Sequence, residues 1–374
     1  MKAKHVILYF LVSIIISSCI RDEALNAEAD ILSCTLPKAV ITTSPIINNN
    51  SVTLFVGPGT DVSALAPEFT LTPGATISPA SGSVQNFTTP VRYTVTSEDK
   101  AWHRVYAITA REQKASNIPT TYHFEKVRIM QNVWQEFYEE QDSGNELTWA
   151  SGNKGFKWAM SEAATEDYPT TQIDNGKTGK CVKLETRLTG DLGNMVGMPI
   201  AAGNLFIGSF DMLNAITNPL SATRFGTPFY NKPLRLTGYY KYKAGEQFYE
   251  NGEYTSRKDI FNIYAIFYDG VKYDSAGKGT DVTLDGNLPN QNYEHSSMVA
   301  LALVSNPQET EGDEWKFFDI PFDYQRYGKK IDEARLAKGE YKIGIIFASS
   351  KDGATFEGAP GSTLLIDEVE LIYE

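Results

Sequence analysis

Basic charge, cysteine and histidine are all scarce in this chain. Its 374 residues carry 34 Lys and Arg against 46 Asp and Glu, a net charge of −12. Phosphate backbones need clustered Lys and Arg, so nucleic acid is an unsuitable partner. Three cysteines are present; Cys34 and Cys181 lie far apart, with Cys181 in the strand-like "KCVKLET", and two buried thiols fit this better than a disulfide. Of the four histidines, His103, His123 and His295 lie beyond the first turns of chain, and none stands beside a Gly-x-Ser-x-Gly element or a catalytic cysteine. Acyl transfer by a triad is excluded, as is a zinc site, because His and Cys never come at ligand spacing. No glycine loop of phosphate-cradling type precedes a helix, which removes nucleotide chemistry.

Long apolar runs are also lacking. The longest, Val6 to Ile16, is eleven residues and follows Lys2 and Lys4. That is the core of an export signal and too short to span a bilayer. It ends in "ISSC", which resembles a bacterial lipobox, with cleavage after residue 18 and a lipid on Cys19. "CIRDEA" then resembles the acidic surface-export signal of Bacteroidetes lipoproteins. The expected place is the outer membrane, facing outward, with residues 19–28 as a tether. Loss of the leader takes the charge to about −14.

What the chain has in quantity is aromatic residues, with 20 Tyr and 19 Phe in a composition that is 42% hydrophobic. These residue types favour pleated, half-buried surfaces, so the expectation is all-β. The length suits two domains, one small and one of about 250 residues. Residues 29–111 read as a small β-sandwich: "SVTLFVGPGTDV" and "VRYTVTSEDKAWHRVYAITAR" alternate between turn residues. Tyr93 and Val95 share one face; after the "SEDK" turn Val105, Ala107 and Thr109 are expected to share one. The intervening "FTLTPGATISPASGSVQNFTTP" resembles the immunoglobulin-like spacers of Bacteroidetes surface lipoproteins. Residues 112–121, "EQKASNIPTT", read as a linker.

From residue 122 to 374, seven or more strands follow with short helices at most, as in "KKIDEARLAKGE". The pattern predicts a two-sheet sandwich of jelly-roll type. The blocks "GNLFIGSF", "TNPLSATRFGTPF", "LRLTGYYKYKAG", "DIFNIYAIFYD" and "IIFASSKDGATFEGAPGSTLLIDEVELIYE" resemble, in order, the Bacteroidetes family called the putative carbohydrate metabolism domain. The resemblance implies a secreted β-sandwich shaped like carbohydrate-binding modules and encoded among glycan-use systems. It brings no fixed catalytic motif. The partners it implies are an oligosaccharide or polysaccharide and other surface glycan-uptake proteins, besides the membrane reached through Cys19.

Three roles remain open: capture of a glycan at the cell envelope, which leads, hydrolysis by a carboxylate pair, and a structural or adhesive role at the cell surface. Glycoside hydrolysis asks for two carboxyls about 5 to 9.5 Å apart in a groove. Carboxylates are plentiful, and Asp259 and Glu357 are the candidates because the family blocks contain both. Sugar binding asks for rings that stack on pyranose faces and for hydrogen-bonding neighbours. Trp149 and Trp158 in the Gly- and Asn-rich "TWASGNKGFKW", and Tyr249 and Tyr254 in "EQFYENGEYTSR", are the candidates, the alternative being that they lid the core. Trp315 and Phe317 in "DEWKFF" read as core packing.

The terminal run "LLIDEVELIYE" poses a separate question. Alternation puts Asp367 on the apolar side with Leu365, Val369, Leu371 and Tyr373, where a carboxylate needs a partner. Strands of this type in jelly-roll carbohydrate-binding modules resemble it, and imply a structural Ca²⁺ at Asp367, with Glu125 a companion. A backbone N–H or a hydroxyl would serve equally.

Overall fold

Alternating runs become sheets in both halves of the computed structural model, which describes residues 25–37, 40–57, 59–112, 118–140 and 146–374. The leader, Cys19 and residues 113–117 of the linker lie outside the described residues. The chain divides into two units, Met1–Glu112 and Gln113–Glu374.

The small unit is an immunoglobulin-like sandwich. Its larger sheet runs Ile41–Ile47, Ser51–Val56, His103–Glu112, Val91–Thr96, Thr76–Ser78, and Ser51–Val56 lies parallel to His103–Glu112. Ile31–Thr35 pairs with Glu68–Leu71. Val52, Leu54, Tyr93, Val95, Tyr106 and Ile108 fill the core together with Cys34. The face of the last long strand differs from expectation: Val105 is exposed, and Tyr106 and Ile108 point inward. The cause is the turn, in which the Ser97 N–H bonds to the Trp102 carbonyl and places His103 opposite Thr96. That register sets Tyr106 against Tyr93.

The large unit is a jelly-roll sandwich. One sheet runs Thr170–Ile173, Cys181–Glu185, Thr363–Tyr373, Pro233–Lys243, Lys316–Pro321, with Thr121–Tyr122 added to the terminal strand. The other runs Asn204–Phe206, Tyr341–Ala348, Asn262–Asp269, Met298–Leu303, with Thr227–Phe229 on Tyr341–Ala348. Leu236, Tyr240, Leu364 and Ile366 of the first meet Ile263, Phe267, Ile345 and Phe347 of the second. Strand Asn262–Asp269 is buried on both faces, because Tyr264, Ile266 and Tyr268 are covered in turn by Phe225, Leu284 and Tyr293. Hence "NIYAIFY" reads as a continuous apolar run. Cys181, like Cys34, is a free buried thiol, its pKa pushed up to about 12 by burial.

Trp315 and Phe317 are not core residues. Phe318 and Ile320 carry the inner face of their strand, which leaves Phe317 53% exposed against the Tyr239 ring at 5.2 Å. The Lys241 ammonium lies 5.0 Å from the Trp315 ring.

Asp367 is fully buried, though by a different route from simple alternation. Leu364 and Ile366 take the core face, so Leu365 and Asp367 point outward. A bulge then resets the phase: Tyr239 opposes Asp367 and Thr237 opposes Glu370, which leaves one extra residue on the terminal strand, and Glu368 sits at φ 48. Val369 and Leu371 therefore return to the core. On its outward side Asp367 meets the turn at Gly176 and Thr178. Its Oδ2 accepts the Thr178 N–H at 3.0 Å and its Oδ1 accepts the Glu368 N–H at 2.8 Å. Glu125 holds the same turn, accepting the Lys180 N–H at 2.8 Å.

These two carboxylates thus clasp one turn by backbone donors. Calcium takes six to eight oxygens. Among the described residues no group of three His, Cys, Asp or Glu side chains gathers to hold a metal, so the side chains do not by themselves fit that ion.

Burial raises the Asp367 pKa from 3.8 to about 6, with the Glu368 charge adding to the effect against the backbone donors. A raised carboxyl pKa means that the folded chain holds the proton more tightly, so this contribution is complete below 3.8 and fades as pH rises through about 6. Asp367→Ala is expected to cost roughly 2–4 kcal/mol near pH 5, because it empties a fully buried site and takes the acceptor from the partly buried Thr178 and Glu368 N–H groups, and less at pH 8. Urea midpoints at the two pH values check this. A chelator that lowers the wild-type Tm and leaves that of the variant unchanged would restore the ion.

Candidate functional site

Three segments of the large unit meet around an open cleft of about 630 Å³. The first is the hairpin Phe248–Glu250 and Glu253–Thr255. Its turn is Asn251-Gly252, with φ of 52 and 89, and positive φ at both central residues is what an Asn-Gly hairpin supplies. The pairing sets Tyr249 opposite Tyr254, their rings 5.2 Å apart and edge to face. Tyr254 is 51% exposed.

The second segment is the loop from Ser349 to Ser362. It is tied to the hairpin by the Tyr249 N–H to the Gly358 carbonyl at 2.9 Å and the reciprocal bond at 3.1 Å. It carries Phe356 and Glu357, both lining the cleft. The third is the stretch around the short helix Gly190–Met195, which contributes Leu188, Asn194 and Pro199. Arg257 braces the hairpin from outside. Its guanidinium lies 4.3 Å from the Phe248 ring, bonds Glu250 at 2.9 Å and pairs with Asp352. That hydrogen bond to Arg257 holds the Glu250 carboxyl below its usual pKa.

Asp259 is the root of this loop, and it does not face the cleft. It is 3% exposed. Its Oδ2 accepts the Ser350 hydroxyl at 2.5 Å, the Ser362 hydroxyl at 2.7 Å and the Ala359 N–H at 2.8 Å; Oδ1 accepts the Ile260 N–H at 2.9 Å. The Ser350 hydroxyl is also 2.6 Å from Thr186 Oγ1, which extends the network toward the third segment. Burial raises the Asp259 pKa against these donors. With its oxygens committed to the fold, Asp259 has no free edge for a substrate, and the pairing with Glu357 as two catalytic carboxyls is corrected on that ground. Glu357 is the one carboxylate among the described residues lining the cleft.

The two tryptophans separate as well. Trp149 is 1% exposed, its indole among Tyr122 at 5.2 Å, Phe124 at 5.6 Å and Phe347 at 5.9 Å. It belongs to the sandwich core. Trp158 is 38% exposed. It lies on a helix, Asn153–Ala159, where the sequence suggests a loop. The helix is held by the buried Asn153, whose amide donates to the Thr170 carbonyl at 2.7 Å and whose oxygen accepts the Thr170 N–H at 3.1 Å. Trp158 lines a second cavity, of about 130 Å³, which shares Phe356 with the cleft.

Tyr249, Tyr254 and Glu357 are thus brought together, Trp158 stands in the neighbouring cavity, and Trp149, Asp259, Asp367 and Glu125 serve the fold. Sequence reasoning missed Asn194, Asn251 and Phe356. Asn251 had a readable signal, the Asn-Gly turn beside two tyrosines.

Residues 123–372 match the family model described as putative carbohydrate metabolism domain, and residues 31–110 match that described as SGBP, N-terminal. A crystal structure from Bacteroides thetaiotaomicron, described as a putative glycoside hydrolase, is 50% identical, with a TM-score of 0.63 over 95% of this chain and 99% of that one. Another from Bacteroides vulgatus, described in the same words, is 50% identical, with a TM-score of 0.63 over 68% of this chain and 98% of that one. The comparison with curated proteins gives no match.

Proposed function

The chain belongs to the putative carbohydrate metabolism domain family, and from that membership we propose that it captures an oligosaccharide in the tyrosine-lined cleft without cleaving it. In this reading a lipid on Cys19 anchors the chain at the outer membrane, facing outward, and the small sandwich spaces the large one from the bilayer, beside other glycan-uptake proteins.

The observation that carries the reading is the lining of the cleft. Tyr254 offers an exposed ring braced edge to face by Tyr249, a surface on which the CH face of a pyranose can stack. Asn194, Asn251 and Glu357 stand around it to bond hydroxyls. A single carboxylate accepts hydrogen bonds well but lacks the second that acid and base, or acid and nucleophile, would need.

Hydrolysis stays as the second reading because both 50%-identical structures are described as putative glycoside hydrolases. Glu357→Gln separates the two, since it keeps the shape and removes the titrating group. Capture is expected to leave the variant within about tenfold of wild-type affinity, with no reducing ends released by either protein. Release of reducing ends by the wild type, abolished in the variant, would replace capture by hydrolysis.

A further inference from the structure

We propose that the cleft selects neutral glycans over those carrying uronic acids, and that Glu357 is the residue that sets this choice. The inference rests on the reading of the cleft as a sugar site and adds a substrate class to it.

Charge on the cleft walls is the first argument. The three segments that meet there, residues 188–199, 248–255 and 349–362, carry Asp191, Glu250, Glu253, Asp352 and Glu357 against a single basic residue, Lys351. Lys351 lines a separate recess with Asn262 and Tyr264. Arg257, behind the hairpin, is already shared between Glu250 and Asp352. No Lys, Arg or His among the described residues lines the cleft itself. A uronate carboxylate entering it gives up water and meets no cation, and the paired guanidinium contact that suits a carboxylate is missing. The acidic balance of the whole chain, −12, acts in the same direction at longer range.

Glu357 is the second argument. Unlike Glu250 and Asp352 it makes no ion pair among the described residues, and its side chain accepts only the Thr355 hydroxyl there, at 3.4 Å. An ionised carboxylate is an acceptor alone, so its remaining lone pairs call for donors, and the hydroxyls of a neutral sugar are donors. A uronate brings acceptors where the neutral sugar has a C6 hydroxyl. It loses that hydrogen bond and adds repulsion, in a partly enclosed site where screening is weaker than in open water. The loop cannot carry Glu357 away, because its neighbour Gly358 exchanges two backbone hydrogen bonds with Tyr249, at 2.9 and 3.1 Å. Asn194 and Asn251 donate as well as accept, and Tyr254 stacks on either kind of ring, so discrimination falls to Glu357.

The test uses the full chain with gluco-, manno- and galacto-oligosaccharides, each measured also after oxidation of its C6 alcohols to carboxylates, by titration calorimetry. The wild type is expected to bind at least one neutral oligomer, and to bind the oxidised form of it more weakly by about tenfold or more. Raising NaCl from about 20 mM to about 0.5 M is expected to narrow that ratio several-fold, because salt screens repulsion and leaves shape unchanged. Glu357→Gln is expected to bind the oxidised oligomer several-fold more tightly than the wild type does, a gain that a disturbed loop would not produce. Oxidised oligomer bound as tightly as neutral, a ratio indifferent to salt, or no gain in Glu357→Gln overturns the inference and leaves the cleft a sugar site. Binding of neither form of any oligomer removes the cleft reading, and the inference falls with it.

Discussion

Asp259→Ala is expected to destabilise the large unit by about 3–4 kcal/mol, the larger of its effects on the site being loss of the loop that carries Glu357. The carboxylate collects four donors from three stretches of chain, at residues 260, 350 and 359–362. A hydrogen bond contributes only about 1 kcal/mol net, but a buried donor left without its acceptor costs about 1–3. The Ile260 and Ala359 N–H groups are fixed by the backbone and cannot turn away. The two serine hydroxyls can, Ser350 toward Thr186, so the four costs do not add in full. Asp259→Asn should lose part of this, because its amide must face at least one donor. Urea unfolding checks the magnitude. A catalytic carboxylate would behave in the opposite way, with unchanged midpoint and lost turnover, and a shift below about 1 kcal/mol would put Asp259 back among the candidates for chemistry.

Trp149→Ala is expected to cost about 3–5 kcal/mol, the range for removing a large ring from a packed core. Its indole touches Tyr122, Phe124 and Phe347, which join the first strand of the unit to the second sheet. Trp158→Ala, nine positions along, should shift the midpoint by less than about 1 kcal/mol, since a third or more of the ring is already in water. The pair of midpoints checks the assignment: similar losses in both would mean that Trp158 also lids the core.

Much of the fold is legible in the sequence. Where one face of a strand meets the core and the other meets water, alternation names the strand, as in "SVTLFV"; where both faces are covered, as in "NIYAIFY", an unbroken apolar run does so. The Asn-Gly turn between Tyr249 and Tyr254 is equally readable, because its positive φ values are demanded locally. The failures come from phase and distance. One extra residue at Glu368 shifts the terminal strand, and a six-residue turn shifts Val105, so periodicity carried across either point names the wrong face. Asp259 is buried by residues about a hundred positions away, which no local pattern records. Trp149 and Trp158 share one polar stretch, and only the anchoring of Asn153 on Thr170 separates a core ring from a surface one.

Whether the tyrosine-lined cleft holds a glycan is decided by the affinity of the wild type and of Tyr254→Ala for the best-retained member of a broad oligosaccharide panel, measured by titration calorimetry. A wild-type Kd on the order of 10 µM to 1 mM is expected, as shallow sites with few polar contacts give. Binding by Tyr254→Ala is expected to be at least tenfold weaker, with a melting temperature within a few degrees of wild type, because the exposed ring contributes contact with the ligand and little to the core. Wild-type affinity retained in full by Tyr254→Ala, or no binding to any member of the panel, would contradict it.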